Sequence, residues 1–465
     1  MDNRMDTFSP FAVNRPDDLF IGGAKEQRGA LMLQQPDGRF AEASQATFEQ
    51  DKSSEDLGAV FFDADGDGDK DLYVVSGGSE FSENSPALQD RLYLNDGKGN
   101  FRKAEGALPA ETISGSRVAA ADFDGDGDID LFVGGRVVPW KYGVDPRSIL
   151  LRNDGHGHFT DVTDVLAPEL ARVGMVTDAT WTDVDRDGRL DLVVVGEWMP
   201  ITIFHNTGGR LRRLTVKGLE KSDGWWNRVV AGDFTGDGRI DFIVGNLGTN
   251  TRLQADAEHP ASMIVKDFLH DGFVEQVIST YSNGKSYPLP LRDDLIRALP
   301  FLKDRFPKYS DYAGKTTSEV FTPEELSGAT VKQAYTFATS LVRNNGDGSF
   351  TLVPLPAAAQ VAPVYGIATG DVDGDGRTDL LLAGNFSGFR PDIGGASASY
   401  GLYLRGDGSG KFAAVPERAS GFFVRGDARD IARAGTARGP AWVVTRSNDR
   451  PLVFRAARSG KAAAR

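Results

Sequence analysis

The amino-acid sequence predicts an all-β fold, a β-propeller built from four-stranded blades. A short apolar run enters a nine-residue loop with aspartates at alternate positions and glycines between them, and a Val-rich run leaves it. This pattern recurs along the chain, and in most copies two further apolar segments follow, joined by an Asn/Asp-Gly turn. Four-strand units with turn signals at regular spacing are typical of propeller blades.

The acidic loops fix the positions of the units. We name them loop 1 (Asp63–Asp71, DADGDGDKD), loop 2 (Asp122–Asp130, DFDGDGDID), loop 3 (Asp183–Asp191, DVDRDGRLD), loop 4 (Asp233–Asp241, DFTGDGRID) and loop 5 (Asp371–Asp379, DVDGDGRTD).

The remaining strands follow from the same pattern. Residues 17–44 predict three short strands without a loop, and full units begin at Gly58, Val118 and Thr180. A fourth unit begins at Val229. A fifth begins at Met263, has the degraded loop DFLHDGFVE and closes with Ser340–Val342. A sixth covers 364–415, and a last one, 427–456, has no acidic loop.

We therefore expect one propeller over residues 1–456, interrupted by a partly helical insertion at 281–335 and followed by a basic, disordered tail at 457–465. Seven blades result if the N-terminal strands complete the C-terminal blade, and eight if the two stay separate. Seven is favoured, because shared closure removes free sheet edges.

The amino-acid composition argues against disulfide bonds, nucleic-acid binding and a membrane-spanning segment. The 465 residues carry a formal charge of −14 and contain no cysteine, so disulfides are excluded. Much of the acidic excess lies in the loops, which argues against nucleic-acid binding. The chain has no run of 18 apolar residues that could span a membrane, and its N-terminus lacks the pattern of a signal peptide.

The loops predict about five Ca²⁺ sites, because alternating carboxylates on a Gly-containing loop suit a hard cation with six to eight oxygen ligands. Positions one, three, five and nine would supply side-chain oxygens, and position seven its backbone carbonyl. These residues are Asp63, Asp65, Asp67, Asp69 and Asp71; Asp122, Asp124, Asp126, Asp128 and Asp130; Asp183, Asp185, Asp187, Arg189 and Asp191; Asp233, Thr235, Asp237, Arg239 and Asp241; Asp371, Asp373, Asp375, Arg377 and Asp379. Loop 4 is weaker, since Thr235 replaces a carboxylate. The degraded loop, with Asp267, Asp271 and Glu275, is weaker still, since Leu269 cannot ligate.

Three alternatives to calcium-binding propeller loops are less consistent with the sequence. An EF-hand needs a bidentate acid at position twelve, where this chain has Val74, Val133, Val194 or Leu382. Magnesium prefers water ligands and strict octahedral geometry. Acidic turns without any cation would crowd carboxylates together and raise their pKa values, and this would have to occur in each of the five loops.

The motif Asp-x-Asp-x-Asp-Gly-x-x-Asp, followed by a Leu-Val-Val-type strand and then Asn-x-Gly-x-Gly-x-Phe, resembles the FG-GAP or VCBS repeat of integrin-α-type propellers. With its insertion, including Tyr287–Arg292 and Asp311–Thr316, the chain is similar to bacterial cartilage acidic protein-like proteins. The resemblance implies a secreted or surface-exposed binding protein.

A ligand surface is expected on the face opposite the acidic loops. Loops on that face carry tryptophans, and arginines lie near its rim, a combination that can stack on sugar rings and grip acidic groups. These residues are Trp140, Trp198, Trp225, Trp226, Arg117, Arg136 and Arg228. The alternative is that each tryptophan wedges between blades.

Taken together, the sequence predicts an extracytoplasmic binding or adhesion module with structural calcium and a glycan or protein ligand. The alternative is a calcium-dependent polysaccharide lyase, although no familiar catalytic motif is present. Two Arg-Gly-Asp triplets, 405–407 and 425–427, are interpreted as by-products of the repeat.

Overall fold

Antiparallel sheets of short strands are the main regular structure of the chain, which confirms the all-β prediction. The computed structural model describes residues 8–11, 17–389, 394–436 and 438–456. The predicted disordered tail, 457–465, lies outside the described residues.

The strands of the first four sheets follow one another along the chain. Sheet 1 contains β1 (Phe8–Phe11), β2 (Asp18–Ile21), β3 (Ala30–Gln34) and β4 (Phe40–Ala43). Sheet 2 contains β5 (Glu55–Phe62), β6 (Asp71–Gly77), β7 (Arg91–Asn95) and β8 (Phe101–Lys103). Sheet 3 contains β9 (Gly115–Ala121), β10 (Asp130–Gly135), β11 (Ile149–Asn153) and β12 (Phe159–Asp161). Sheet 4 contains β13 (Met175–Thr182), β14 (Asp191–Met199), β15 (Thr202–Asn206), β16 (Leu211–Arg213) and the short β17 (Gly224–Trp225), which pairs with β14.

The second half is less regular. In chain order it has β18 (Arg228–Gly232), β19 (Asp241–Gly245), β20 (Ala261–Lys266), β21 (Glu275–Ser282), β22 (Lys285–Pro288), β23 (Thr330–Ala334), β24 (Ser340–Asn344) and β25 (Phe350–Pro354). Sheet 6 contains β26 (Val364–Gly370), β27 (Asp379–Gly384), β28 (Leu402–Gly406) and β29 (Phe412–Val415). Sheet 7 contains β30 (Ala428–Thr436), β31 (Gly439–Arg446) and β32 (Asp449–Arg455).

Helices are short and lie mostly in connections. They are α1 (Ala46–Gln50), α2 (Thr163–Leu166), α3 (Arg292–Ala298), α4 (Tyr309–Tyr312), α5 (Thr317–Val320), α6 (Pro323–Leu326) and α7 (Glu417–Ser420). Four 3₁₀ turns cover Pro86–Leu88, Pro168–Leu170, Pro300–Leu302 and Ala357–Gln360. No helix in the described ranges is long and apolar enough to cross a membrane.

The middle of the chain departs from the predicted order of units. We expected Met263 and Ser340–Val342 to share a fifth blade. Instead, β24 pairs with β19, so sheet 5 has the order β18-β19-β24-β25. Strands β20 to β23 form a separate sheet, which we call the insert sheet, with the order β22-β21-β20-β23. Residues 246–339 therefore form one long excursion between the second and third strands of sheet 5.

The first strands of the sheets lie against one another in a closed cycle. The order is β1, β5, β9, β13, β18, β26 and β30, and β30 contacts β1 again. An apolar cluster fills each space between neighbouring sheets, as Phe132, Leu192 and Phe204 do between sheets 3 and 4. The second strands are sandwiched by these clusters. Accordingly β6, β10, β14, β19 and β27 are buried along their whole length, which is why they read as continuous apolar runs.

Closure of the cycle differs from the expected shared blade. The N-terminal strands form sheet 1 by themselves, with four strands rather than three, and the C-terminal strands form the three-stranded sheet 7. Backbone groups join the two sheets, since Asp17 N–H donates to Gly435 O (3.1 Å) and Gly435 N–H donates to Asp17 Oδ2 (2.6 Å). Leu19 packs with Ala434 and Val443 across the same junction.

Four charged side chains on first strands cross-link the centre of the ring. Arg117 Nη2 donates to Asp430 Oδ2 (2.9 Å), and Arg228 Nη2 lies 3.3 Å from Asp430 Oδ1. Asp178 lies 3.4 Å from Arg228 and 3.9 Å from Arg117. Burial opposes ionisation of Asp430, but the two guanidinium groups outweigh it and lower its pKa. The network connects sheets 3, 4, 5 and 7.

We expect Asp430→Asn to lower the free energy of unfolding by roughly 3 kcal/mol, because it removes one of the two carboxylates that neutralise two largely buried arginines and leaves only Asp178. The matched control is Asp449→Asn. Asp449 pairs with Arg446 at 2.5 Å, but its side chain is 55% exposed, so the loss there should stay below about 1 kcal/mol. Urea denaturation of both variants measures the difference, and equal losses would contradict the cross-linking role of Asp430.

Candidate cation sites and the opposite face

Each acidic loop joins the first strand of a sheet to its second strand. The position-one aspartate organises the turn, as when Asp63 accepts hydrogen bonds from the N–H groups of Gly66 (2.8 Å) and Gly68 (3.0 Å). Glycine suits these turns, because Gly66 and Gly68 have φ values of 78° and 91°, a region that side-chain-bearing residues rarely adopt. Loop 3 is the exception, since Arg186 takes the place of the first glycine with a φ of 65°. The loop backbone is thereby fixed with its carboxylates turned inward.

The position-nine aspartate is buried in all five loops and accepts two backbone hydrogen bonds. One N–H comes from position two of its own loop, and the other from the turn between the third and fourth strands of the same sheet. The pairs are Ala64 and Asn95 for Asp71 (both 2.8 Å), Phe123 and Asn153 for Asp130 (3.4 and 2.8 Å), Val184 and Asn206 for Asp191 (3.1 and 2.8 Å), Phe234 and Asn344 for Asp241 (3.2 and 2.8 Å), and Val372 and Gly406 for Asp379 (3.0 and 2.9 Å). This carboxylate therefore links the acidic loop between the first and second strands to the turn between the third and fourth strands.

The turn asparagines extend this linkage to the neighbouring sheet. Asn153 Nδ2 donates to Ala64 O of loop 1 (2.9 Å), and Asn206 Nδ2 donates to Phe123 O of loop 2 (2.6 Å). Asn344 Nδ2 reaches Val184 O of loop 3 at 3.4 Å. Each of these three loops is therefore held by the following sheet as well as by its own.

The carboxylates converge in four of the five loops. Ligand atoms within 4.8 Å of one another come from Asp63, Asp65 and Asp71; from Asp122, Asp124, Asp126 and Asp130; from Asp183, Asp185 and Asp187; from Asp371, Asp373 and Asp379; and, with a ring nitrogen of His205, from Asp185 and Asp191. In the part of the chain that the structure describes, neither loop 4 nor the degraded loop brings three such groups together. In loop 4, Asp237 is paired with Arg239, and the Thr235 hydroxyl donates to Asp241 (3.0 Å).

Burial and mutual repulsion shift the acids of loops 1 and 2. Burial raises the pKa of Asp71 to about 6 and that of Asp130 to about 7. Burial, and then the neighbouring carboxylate of Asp126, raises the pKa of Asp124. Its Oδ1 is buried and accepts no hydrogen bond. These groups fit a cation, because an ion would supply both the missing partner and the missing counter-charge.

Basic side chains that we had not assigned to the loops lie among the carboxylates. His205 Nδ1 is 3.1 Å from Asp191 Oδ1 and 3.4 Å from Asp185 Oδ2, and Arg405 Nε is 2.6 Å from Asp373 Oδ2. Both residues directly precede the turn residue that binds the position-nine aspartate. Alignment of the third strands of the repeats is the sequence signal that places them there.

The predicted ligand residues on the opposite face separate into exposed and buried groups. Trp140 is 60% exposed, whereas Trp198 is 3% exposed and Trp226 is fully buried among Val193, Val229 and other core residues. Trp225 is half-buried between Trp198 and Phe389. For Trp198 and Trp226 the burial favours the alternative that the tryptophan packs in the interior, and Trp140 is the most exposed of the four.

The insert sheet explains the burial of Trp198 and Trp225. Met263, Val265 and Ala334 of this sheet pack against the same apolar cluster, and Lys332 pairs with Asp145 at 2.5 Å. The predicted arginines are also engaged. Arg136 is buried and donates to Glu197 Oε1 (2.7 Å), and Arg117 and Arg228 belong to the central network.

The charged side chains of both Arg-Gly-Asp triplets contact other groups of the chain. Arg405 pairs with Asp373, and Asp407 accepts hydrogen bonds inside its own turn. Arg425 stacks on Phe423 with its guanidinium carbon 5.1 Å from the ring centre, and Asp427 accepts from Ser387.

Comparison with known proteins identifies the repeat. The FG-GAP-like repeat matches residues 16–74, 77–133, 183–244 and 335–382. These four segments contain all five acidic loops. The narrower resemblance to cartilage acidic protein-like proteins stays a prediction.

Solved structures similar to this chain share little sequence with it. An Agrocybe aegerita lectin, described with specific recognition of non-reducing terminal N-acetylglucosamine, has a TM-score of 0.34 at 16% identity, over 87% of this chain and 92% of that chain. The V. cholerae biofilm matrix protein Bap1 has a TM-score of 0.42 at 11% identity, over 98% and 88%. YCF48 bound to D1 peptide has a TM-score of 0.44 at 8% identity, over 98% and 94%. No curated protein matches the chain.

We expect Asn153→Ala to cost about 1 kcal/mol more than Asn95→Ala, because Asn153 alone of the two holds the neighbouring loop. The side chain of Asn95 donates to Lys70 O of its own loop at 3.0 Å. Both asparagines otherwise occupy the same place in the repeat, which makes Asn95 the matched control. Equal unfolding free energies for the two variants would show that the bond between sheets contributes nothing.

Proposed function

We propose that this chain, which carries FG-GAP-like repeats at four positions, is a calcium-loaded propeller that acts as an extracytoplasmic binding or adhesion module. The observation that carries the calcium assignment is the convergence of oxygen ligands in loops 1 and 2, with the unpartnered Oδ1 of Asp124 among them. Hard oxygen donors without sulfur or nitrogen suit Ca²⁺. The millimolar calcium outside cells suits exposed loops of this kind.

The role of calcium in this proposal is structural. Bound Ca²⁺ neutralises the converging carboxylates. The chain's own residues then transmit that stabilisation, because the position-nine aspartate links the loop to its sheet and the turn asparagine links it to the next one. A loop that loses its cation would loosen two neighbouring sheets.

We expect calcium dependence to grow with pH. Asp71 and Asp130 have pKa values raised from 3.8 to about 6 and about 7. An acid with a raised folded-state pKa binds protons more tightly when folded, so its ionisation between about pH 4 and 7 destabilises the calcium-free fold. With EDTA the thermal midpoint should therefore fall as pH rises through this window.

Calcium should cancel this effect and raise the midpoint at pH 7.5 by at least about 5 °C, whereas at pH 4 it should change little. Differential scanning calorimetry at both pH values, with calcium or EDTA, measures this. The control is magnesium at the same concentration. A melt at pH 7.5 that EDTA leaves unchanged would refute structural calcium.

The ligand surface of this proposal lies on the face opposite the loops and around Trp140. The indole is exposed, its Nε1 donates to Phe81 O (3.0 Å), and its backbone has a φ of 64°. A bulky residue in this region is strained and is held there by its surroundings, a feature that concentrates at functional sites. A fixed, exposed indole is a stacking surface for a sugar ring or an apolar side chain.

A second aromatic group lies in the connections of the same face. Tyr400 and Phe423 are 50% and 42% exposed and stack almost parallel, with ring centres 5.3 Å apart and an interplanar angle of 4°. Arg425 lies against Phe423. Exposed aromatic rings with an adjacent guanidinium support recognition of a glycan or a protein segment.

We expect Trp140→Ala to abolish capture of the ligand found in a glycan and protein binding screen, while its calcium-bound thermal midpoint changes by less than about 2 °C. Trp226→Phe is the control, since it changes a buried tryptophan and should lower stability without touching the ligand. Surface plasmon resonance and calorimetry measure the two effects. Unaltered capture by Trp140→Ala would remove Trp140 from the ligand surface.

A further inference from the structure

The five loops differ in whether a basic side chain of the protein itself holds their carboxylates. We propose that loops 1 and 2 are tight calcium sites and that loops 3, 4 and 5 are weak ones, because arginine and histidine side chains occupy ligand carboxylates in the latter three. This inference rests on the proposed function and assigns a high calcium affinity to the loops of sheets 2 and 3 and a low one to the loops of sheets 4, 5 and 6.

Loops 1 and 2 carry the highest negative charge. Each contains five aspartates, offset within the loop by Lys70 in loop 1 and by no basic residue in loop 2. Arg152, at the third-strand position equivalent to that of His205, acts on Asp124 through its charge without forming an ion pair in the described residues. No salt bridge in the described residues involves the aspartates of either loop. Loop 2 also contains the unpartnered Oδ1 of Asp124.

Loops 3 to 5 are partly neutralised from within. At position seven they have arginine instead of aspartate, and the guanidinium turns back to the position-five carboxylate. The pairs are Arg189 with Asp187, Arg239 with Asp237, and Arg377 with Asp375 at 3.8 Å. Arg189 and Arg239 are fixed further, since their Nε groups donate to Asn206 O (2.8 Å) and Asn344 O (3.2 Å).

A second basic group reaches two of these loops from the third strand. His205 lies against Asp185 and Asp191 of loop 3, and Arg405 pairs with Asp373 of loop 5. Positions three and five of the loops are therefore engaged by side chains of the protein. Loop 4 instead lacks the carboxylate at position three, where it has Thr235.

Two physical effects separate the classes. The affinity of an oxygen site for Ca²⁺ increases with the number of ligand charges, and formal loop charges are −4 and −5 for loops 1 and 2 but −2, −2 and −3 for loops 3, 4 and 5. In addition, an ion entering loop 3 or loop 4 competes with a charge-assisted hydrogen bond to the position-five carboxylate. In loop 5 it competes with the ion pair between Arg405 and Asp373.

Isothermal titration calorimetry of the calcium-free full chain tests this proposal. We expect two tightly bound Ca²⁺ ions per chain, with further ions at least about tenfold weaker. Asp124→Asn should remove one ion from the tight class. Asp185→Asn, the equivalent change in loop 3, should leave the tight class at two.

A gain-of-affinity variant tests the cause. Arg189→Gln should move one ion from the weak class toward the tight class, by about tenfold in affinity, since Asp187 is then free to ligate. Arg186→Gln is the matched control. It removes the same charge from the same loop, but Arg186 donates to Gly238 O of loop 4, where its charge also acts on Asp237, and no ion pair in the described residues joins it to a carboxylate of loop 3.

The outcomes separate the two proposals. Five equivalent ions, loss of a tight ion in Asp185→Asn, or equal affinities in Arg189→Gln and Arg186→Gln would overturn the two-class assignment while leaving calcium binding intact. An absence of any bound calcium would overturn the proposed function, and the two-class assignment with it. Circular dichroism of each variant checks that the fold is retained.

Discussion

The buried aspartate at the ninth loop position is the constraint on which the rest of the architecture depends. Its two oxygens accept one backbone N–H from its own loop and one from the distant turn of the same sheet, in all five loops. A carboxylate taken out of water needs such partners, because an unsatisfied buried charge costs several kcal/mol. The same bonds fix where the loop lies relative to the third strand. One side chain thus fixes both the conformation of the loop and its position on the sheet.

Hydrogen bonds from the turn residues connect neighbouring sheets around the ring. The turn that binds the aspartate begins with asparagine in sheets 3, 4 and 5, and that asparagine reaches the preceding loop. In sheet 6 the turn begins with Gly406, which keeps the backbone hydrogen bond to Asp379 but has no side chain to extend it. The Arg-Gly-Asp sequence at 405–407 is therefore a variant of the structural turn. Its glycine stands where other sheets have the linking asparagine, and its arginine is turned to the acidic loop.

The sequence predicts the repeated parts of the molecule correctly, but it does not predict the strand pairings that join residues far apart in the chain. The loops, their flanking strands and the all-β class followed from local pattern, because each unit repeats the same spacing of aspartate, glycine and apolar residues. The pairing of β19 with β24 did not, since nothing local indicates that a strand will pair across residues 246–339. For the same reason, local pattern predicts a blade where Met263 and its neighbours form a separate sheet. Trp226 shows a related limit, because a Trp-Trp pair beside Asp223 and Gly224 reads as an exposed loop, and only the packing of sheets 4 and 5 buries it.

The insert sheet and the basic side chains in the loops follow one physical principle, which is that the chain supplies its own partners where a repeat would otherwise leave a group unsatisfied. The insert sheet covers Trp198 and Met175 at the end of sheet 4, with Lys332 held by Asp145 at its margin. Arg189 and Arg239 similarly supply a counter-charge to carboxylates that an ion would otherwise have to neutralise. A repeat whose carboxylates depend on a bound ion is stable only where that ion is abundant, and a repeat whose carboxylates are paired internally binds the ion more weakly. In the proposed assignment this chain combines both kinds, with ion-dependent loops in sheets 2 and 3 and loops paired with basic side chains in sheets 4, 5 and 6. Since the linking asparagines transmit order from loop to sheet, loss of calcium would act first on sheets 2 and 3, beside the connection that carries Trp140.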